Sequence, residues 1–249
     1  MATPLSAARF LEALRAEGLT VKEVGTWTRH NRNHKGPWGP VHGVMIHHTV
    51  TSGTDSSVRL CRDGHSALPG PLCHGVIDKK GVVHLVGYGR ANHAGLGDDD
   101  VLRAVIDERA LPADNEASTD GNRHFYGFEC VNLGDGRDPW PDAQLEAIER
   151  VSAALCRAHR WGERSVIGHL EWQPGKIDPK GFGMDWMRGQ VRDRLTPTST
   201  YTVRKGDTLT SIAKAQLGDA GRWREIADLN VLKNPDAITP GQKLKLPKK

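Results

Sequence analysis

Apolar residues fall at helical spacing through Leu5, Phe10, Leu11 and Leu14. That rhythm predicts an opening helix with Thr3 as N-cap, Pro4 in its first turn and Gly18 as its stop. The run Val44-Met45-Ile46-His47-His48-Thr49 reads as a buried strand, and residues 73–77 and 82–86 as a hairpin around Lys79-Lys80-Gly81. Residues 126–131 form another strand. From Asp142 to His159 the positions Leu145, Ile148, Val151, Ser152 and Leu155 mark the inner face of a long amphipathic helix, with Gly162 just past its end. A short strand at 165–168 and a closing helix from Met184 to Leu195 complete the series. Strands and helices in alternation predict an α/β domain over residues 1–195, with a mixed central β-sheet flanked by helices.

The rhythm changes after residues 196–200, an uncharged segment stiffened by Pro197 that reads as a linker. Tyr201 and Val203 alternate with polar neighbours, and Leu244 and Leu246 repeat the pattern. Between them Leu209, Ile212 and Ala213, then Trp223, Ile226 and Ala227, sit at helical spacing, with Thr208 placed to cap the first helix. Residues 201–249 are therefore expected to form a small βααβ unit.

Charge separates the two parts. The 249-residue chain carries +4, but residues 196–249 hold ten Lys/Arg and five Asp/Glu, which leaves −1 for the remainder. A basic small unit suits an anionic polymer such as a bacterial wall. No basic helix or aromatic-basic motif accompanies it, so nucleic acid is not an expected partner. No apolar stretch approaches the roughly 20 residues of a membrane span, and membrane insertion is not expected. The first twenty residues lack a basic segment followed by an apolar block, so the reading is synthesis in the cytoplasm without a signal peptide.

Cys130 on a strand and Cys156 on a helix read as packed thiols. Cys61 and Cys73 bracket a Gly/Pro-containing loop and could bridge after release from a reducing compartment. Histidines gather at predicted strand ends. His47 and His48 are adjacent on a strand, so their side chains point to opposite faces and only one can face a given metal. His169 follows a strand, and Asp178 lies in the irregular loop beyond it. Two histidines and one carboxylate suit catalytic zinc, although twelve histidines offer many other triples.

Two resemblances sharpen these readings. The series Tyr201-Thr202-Val203, Gly206-Asp207-Thr208-Leu209, Ile212-Ala213, Leu229-Asn230, Asn234-Pro235 and Pro240-Gly241-Gln242 resembles a LysM module. That family binds N-acetylglucosamine-containing glycans. Residues 41–182 resemble the zinc-dependent N-acetylmuramoyl-L-alanine amidases of the peptidoglycan-recognition-protein fold. The matching pieces are Ile46-His47-His48-Thr49, Cys73-His74-Gly75-Val76-Ile77 with Gly81, Asn92-His93-Ala94-Gly95, Gly127-Phe128-Glu129, Gly168-His169 and Lys176-Ile177-Asp178-Pro179.

The second resemblance implies zinc on His47, His169 and Asp178. It implies catalytic roles for Glu129, as carrier of the attacking water's proton, and for Lys176, as stabiliser of the oxyanion. His74 and His93 match positions near the substrate groove, where the resemblance implies either direct substrate binding or a supporting, packing role. Where some members carry a tyrosine this chain has Cys73, which excludes the tyrosine-dependent variant of the site. Together the resemblances imply a monomeric wall hydrolase, most like a phage or prophage endolysin, that reaches the bacterial wall after release. Its partner would be peptidoglycan, with glycan taken by the LysM module and muropeptide by the amidase domain. A non-catalytic wall-recognition protein is the alternative. A papain-like thiol peptidase is disfavoured, since no cysteine sits in a recognisable nucleophile turn.

Overall fold

The computed structural model describes residues 2–196 and 199–247. Its elements in chain order are α1 (Ala7–Ala16), β1 (Val21–Glu23), β2 (Gly43–His48), α2 (Thr54–Asp63), β3 (Gly64–His65), β4 (Leu68–Pro69), β5 (Gly75–Ile77) and β6 (Val83–Leu85). There follow β7 (Leu96–Gly97), α3 (Asp99–Ile106), β8 (Thr119–Asp120), β9 (Phe125–Cys130), α4 (Asp142–His159), β10 (Val166–Gly168) and α5 (Met184–Leu195). The small unit contributes β11 (Ser199–Thr202), α6 (Leu209–Leu217), α7 (Trp223–Leu229) and β12 (Lys243–Leu246).

Six strands form the central sheet in the order β1-β6-β5-β9-β2-β10. The β5–β6 hairpin is antiparallel and the other neighbours are parallel, so the sheet is mixed, as expected. Parallel strands need both faces covered, which is why β2 is buried at all six positions. Alternation divides its side chains between two cores. Val44 and Ile46 pack with Phe10, Ile148, Val151 and Val191 from α1, α4 and α5. Met45 packs on the other side with Val101, Val105, Ile167 and Trp172. His47 shares that second face.

The long helix and the closing helix match their expected bounds. The opening helix does not. Its cap is Ser6, which accepts from Arg9 N–H, and not Thr3. The residues before it are recruited elsewhere: Ala2 bridges Val41, and Leu5 N–H donates to the Tyr126 hydroxyl at 2.9 Å. At the end of α4 the left-handed residue is Arg160, with φ 61°, and not a glycine.

The small unit is βααβ, closed by antiparallel β11 and β12 around Val203, Leu209, Ile212, Ile226 and Leu244. Thr208 caps α6 as expected. Ser199 and Thr200 belong to β11, which shortens the expected linker. Pro197 and Thr198 lie outside the described residues. The module also rests on the large domain. The Arg157 guanidinium of α4 lies 3.3 Å from the Glu17 carboxylate and 3.9 Å from Glu225 of α7, and Glu225 pairs with Arg222 at 2.6 Å. All four are nearly sealed from solvent. Arg224 adds a rim pair to Glu12 of α1 at 3.0 Å. Of the buried pairs only Arg157–Glu225 crosses between the two parts, whereas Glu17–Arg157 and Arg222–Glu225 each lie within one of them.

Candidate metal centre and active site

His47 is one residue short of the end of β2 and lies opposite Glu129 in β9. Paired residues of parallel strands point to the same face, so both side chains emerge at one place. His169 directly follows β10, on the other side of β2. The loop beyond folds back because Leu170 N–H donates to the Asp178 carbonyl at 2.7 Å. The carboxyl ends of parallel strands thus supply the site, as in open α/β sheets generally.

The three candidate ligands meet. His47 Nδ1 lies 2.9 Å from Asp178 Oδ2 and 3.1 Å from His169 Nδ1, and His169 Nδ1 lies 3.2 Å from the same carboxylate oxygen. Tautomers decide what these contacts mean. His93 Nε2 faces the Phe125 carbonyl at 3.1 Å. A carbonyl only accepts, so His93 carries its proton on Nε2 and its Nδ1 is bare. That bare nitrogen is 3.0 Å from His47 Nε2. His47 therefore donates to His93, and its own Nδ1 holds a lone pair. His169 Nε2 faces Gln173 Oε1 at 3.2 Å, which frees His169 Nδ1 in the same way. Two imidazole lone pairs and a carboxylate oxygen then converge with no proton among them. A cation satisfies that arrangement, and two histidines with one aspartate is a donor set that fits zinc with an open position.

Ionisation agrees with this reading. Burial holds His47 down to about 4, against the pull of Asp178. Burial, with the neighbouring rings of His47 and His74, holds His93 well below its ordinary value. Burial opposes ionisation of Asp178, but its contacts with His169 and His47 keep that carboxyl well below the usual carboxylate range. His47 and His93 are neutral and the carboxylate is charged, the states that metal binding requires.

Glu129 stands beside the cluster with a different character. Its Oε2 is buried with no hydrogen-bond partner among the described residues. Burial first, and then the charge of Asp178, pushes its carboxyl up to about 8, with Lys176 opposing. Lys176 is exposed on the loop. These groups line one groove of about 440 Å³ whose mouth carries Val50, Leu68, Leu133 and Ile177.

The two histidines expected near substrate separate. His93 lines the groove and touches His47. His74 does not reach it. Its ring is 0% exposed, Nε2 donates to the Gly89 carbonyl at 2.8 Å, and Nδ1 accepts from Gly127 N–H at 2.9 Å. With both nitrogens engaged, His74 ties the loop before β7 to β9 and has no valence left for substrate. His48 points away from the ligands, as expected, and its Nδ1 accepts from Lys180 N–H at 3.2 Å. Cys73, at the tyrosine position, is fully buried.

Several supporting residues escaped the sequence reading. Asn122 accepts from the backbone N–H groups of His93 and Ala94 at 2.8 and 2.9 Å, and so holds the His93 turn. Gly127 leaves room for the ring, since a Cβ there would lie 2.5 Å from His93 Nδ1. Gln173, four residues after His169, was the one with a spacing signal. A second acidic group, Asp98, Asp99 and Glu116, has another use. The Asp98 carboxylate already accepts from four backbone N–H groups, those of residues 100, 101, 115 and 116.

Comparison with known proteins identifies the family of each part of the chain. The family described as N-acetylmuramoyl-L-alanine amidase matches residues 37–181, and the LysM domain family matches residues 201–247. The chain belongs to the N-acetylmuramoyl-L-alanine amidase family and carries a C-terminal LysM domain. It is 26% identical over 172 residues to the N-acetylmuramoyl-L-alanine amidase XlyB of Bacillus subtilis, covering 62% of this chain and 53% of that protein. It is 28% identical over 116 residues to XlyA of the same organism, covering 45% and 38%. An uncharacterized protein of Deinococcus radiodurans is 45% identical over 56 residues, 22% of each chain. The chain thus spans between about a fifth and about half of the length of these relatives. Among solved structures, the amidase endolysin LysCS from Clostridium intestinale aligns with a TM-score of 0.47 at 15% identity, over 69% of this chain and 95% of that one.

Proposed function

We propose that this chain is a zinc-dependent peptidoglycan hydrolase that cuts the amide between N-acetylmuramic acid and L-alanine and is held on the wall by its LysM module. The observation that carries the reading is the convergence of His47 Nδ1, His169 Nδ1 and Asp178 Oδ2 within 3.2 Å. Zinc on these atoms would supply Lewis acidity for the attack of water on an amide carbonyl.

The remaining work falls to the chain. Glu129, poised near neutrality by burial, takes a proton from the attacking water and delivers it to the leaving amine. Lys176, free at the loop's surface, places positive charge beside the oxygen that becomes negative. His93 donates to the Phe125 carbonyl and accepts from His47, and so fixes which nitrogen His47 presents. The exposed apolar residues at the groove mouth suit the stem peptide's side chains. In the LysM module, Thr208, Trp223, Pro235 and Ile238 line a separate groove of about 390 Å³, an aromatic and hydroxyl-bearing surface suited to sugar rings. No helix among the described residues is long and apolar enough to cross a membrane. On this reading the chain acts on the wall after release, like an endolysin.

Digestion of purified wall tests the reading. New alanine amino termini without new reducing sugars are expected. Reducing sugars would assign a glycosidase, and no release of either would leave a wall-binding protein.

A further inference from the structure

Beside the site lies a pair of thiols that the proposed chemistry does not use. Cys61 ends the buried face of α2 and Cys73 precedes β5. Both are at most 2% exposed, and they share one small apolar cluster with Val76, Val86 and Val131. Their backbones are fastened together, since Leu72 N–H donates to the Cys61 carbonyl at 2.7 Å. Both thiols are free.

The segment between them builds part of the groove. It contains the β3–β4 hairpin, whose His65 and Leu68 line the groove, and Leu72 does so as well. Two well-packed thiols at the feet of a rim loop form a natural clasp.

We propose that Cys61 and Cys73 are a modification site, a dithiol that closes to a disulfide under oxidising conditions and pins the groove's rim. The oxidant is a small-molecule disulfide such as oxidised glutathione. A thiolate of the pair attacks one of its sulfurs and expels one thiol. The second cysteine then displaces the other, so two protein thiols lose two electrons and two protons and one small disulfide becomes two thiols. Hydrogen bonding to Cys73 and burial raise the Cys61 thiol well above its ordinary value, and burial raises Cys73. Few thiolates are therefore present at neutral pH, and closure is slow, following the opening of the loop. The pair stays reduced in a reducing compartment and closes in an oxidising one.

The test uses the full chain, equilibrated for many hours with oxidised or reduced glutathione and then quenched by acid. Denatured thiols are counted, and alkylated peptides are mapped. Oxidation should lower the count from four to two, with a Cys61–Cys73 linked peptide and a mass loss of two hydrogens. Closing a loop of about 13 residues should shift the unfolding equilibrium about 100-fold toward the folded state, read as a higher urea midpoint. Tryptic cleavage after Arg62 should slow in the oxidised sample. Cys61→Ala should keep all three of its remaining thiols under the same treatment. Four surviving thiols in the wild type, glutathione adducts in place of the linked peptide, or equal thiol loss in Cys61→Ala would each overturn the assignment. Because none of these readouts involves wall cleavage, the result stands apart from the proposed hydrolase activity.

Discussion

Replacing Glu129 with glutamine separates its role as a proton carrier from any structural role, because the two leave opposite marks on stability against pH. In the metal-stripped protein the Glu129 carboxyl is raised from 4.5 to about 8, by burial first and then by the charge of Asp178. A raised carboxyl means that the folded chain binds a proton that the unfolded chain has already released. Its contribution to stability is therefore complete below about 4.5 and is lost as pH rises toward about 8. At ~1.4 kcal/mol per pKa unit the whole fall is on the order of a few kcal/mol, an upper bound because the side chain is partly open to the groove. Glutamine does not titrate, so Glu129→Gln should lack this decline. It carries a roughly constant offset of about 1–3 kcal/mol for a buried amide without partners. The assay is urea unfolding of both metal-stripped proteins between pH 5 and 9. The difference in stability should move in favour of the variant across pH 5 to 8 and flatten above it. Zinc content on reloading should be unchanged, while turnover should fall by roughly 10²- to 10⁴-fold. A flat difference across that range, or a variant that loses stability as pH rises, would refute the reasoning and assign Glu129 to an ionised structural contact.

Three other outcomes follow from the same geometry. His47→Ala should abolish stoichiometric zinc in elemental analysis, since it removes one of three converging donors. His93→Ala should weaken zinc binding by about 10- to 100-fold in competition with a chelator, because His47 loses the partner that fixes its tautomer; unchanged affinity would show that the ring only packs. Removing residues 199–249 should reduce pull-down on insoluble peptidoglycan and also lower the melting temperature of what remains, because Arg157 and Glu17 lose Glu225 and their cover. Full retention on the wall would show that the module is not the anchor.

How much of this was legible in the sequence depended on whether the determinant was local. The amphipathic helices α4 and α5 were readable because one face buries a continuous row such as Ile148, Val151 and Leu155. The candidate ligand set is readable as residue types at strand ends, but only the return of the 170–178 loop brings His169 and Asp178 together with His47 from among other triples. The misreadings are all tertiary. Thr3 has good capping chemistry, yet the chain around it is claimed by Val41 and Tyr126, far away in sequence. His74 looked like a groove residue because its neighbours in sequence are near the groove, and alternation along one strand does not reveal that both its nitrogens are taken. Thr200 looked like linker because a strand of four residues carries almost no periodicity before its partner is known. The Arg157–Glu17–Glu225 contact joins residues about 70 to 210 positions apart in sequence, and no local pattern announces it.

That contact changes how a wall anchor would help the proposed hydrolase. An anchor on a free tether raises the local concentration of substrate by an amount set by tether length. Here a sealed charge cluster holds the module against α1 and α4, with only two positions separating Thr196 from Ser199. The spacing between the module's groove and the groove at the candidate metal centre is then a property of the folded body, as in a caliper set to one opening. Lengthening the junction by a few glycines would leave that opening unchanged, whereas reversing the charge at Arg157 would release it. If the proposed function holds, such a molecule would sample only the stem peptides that lie at one distance from the sugar bound by the module, and the repeat of the wall itself would decide which bonds are within reach.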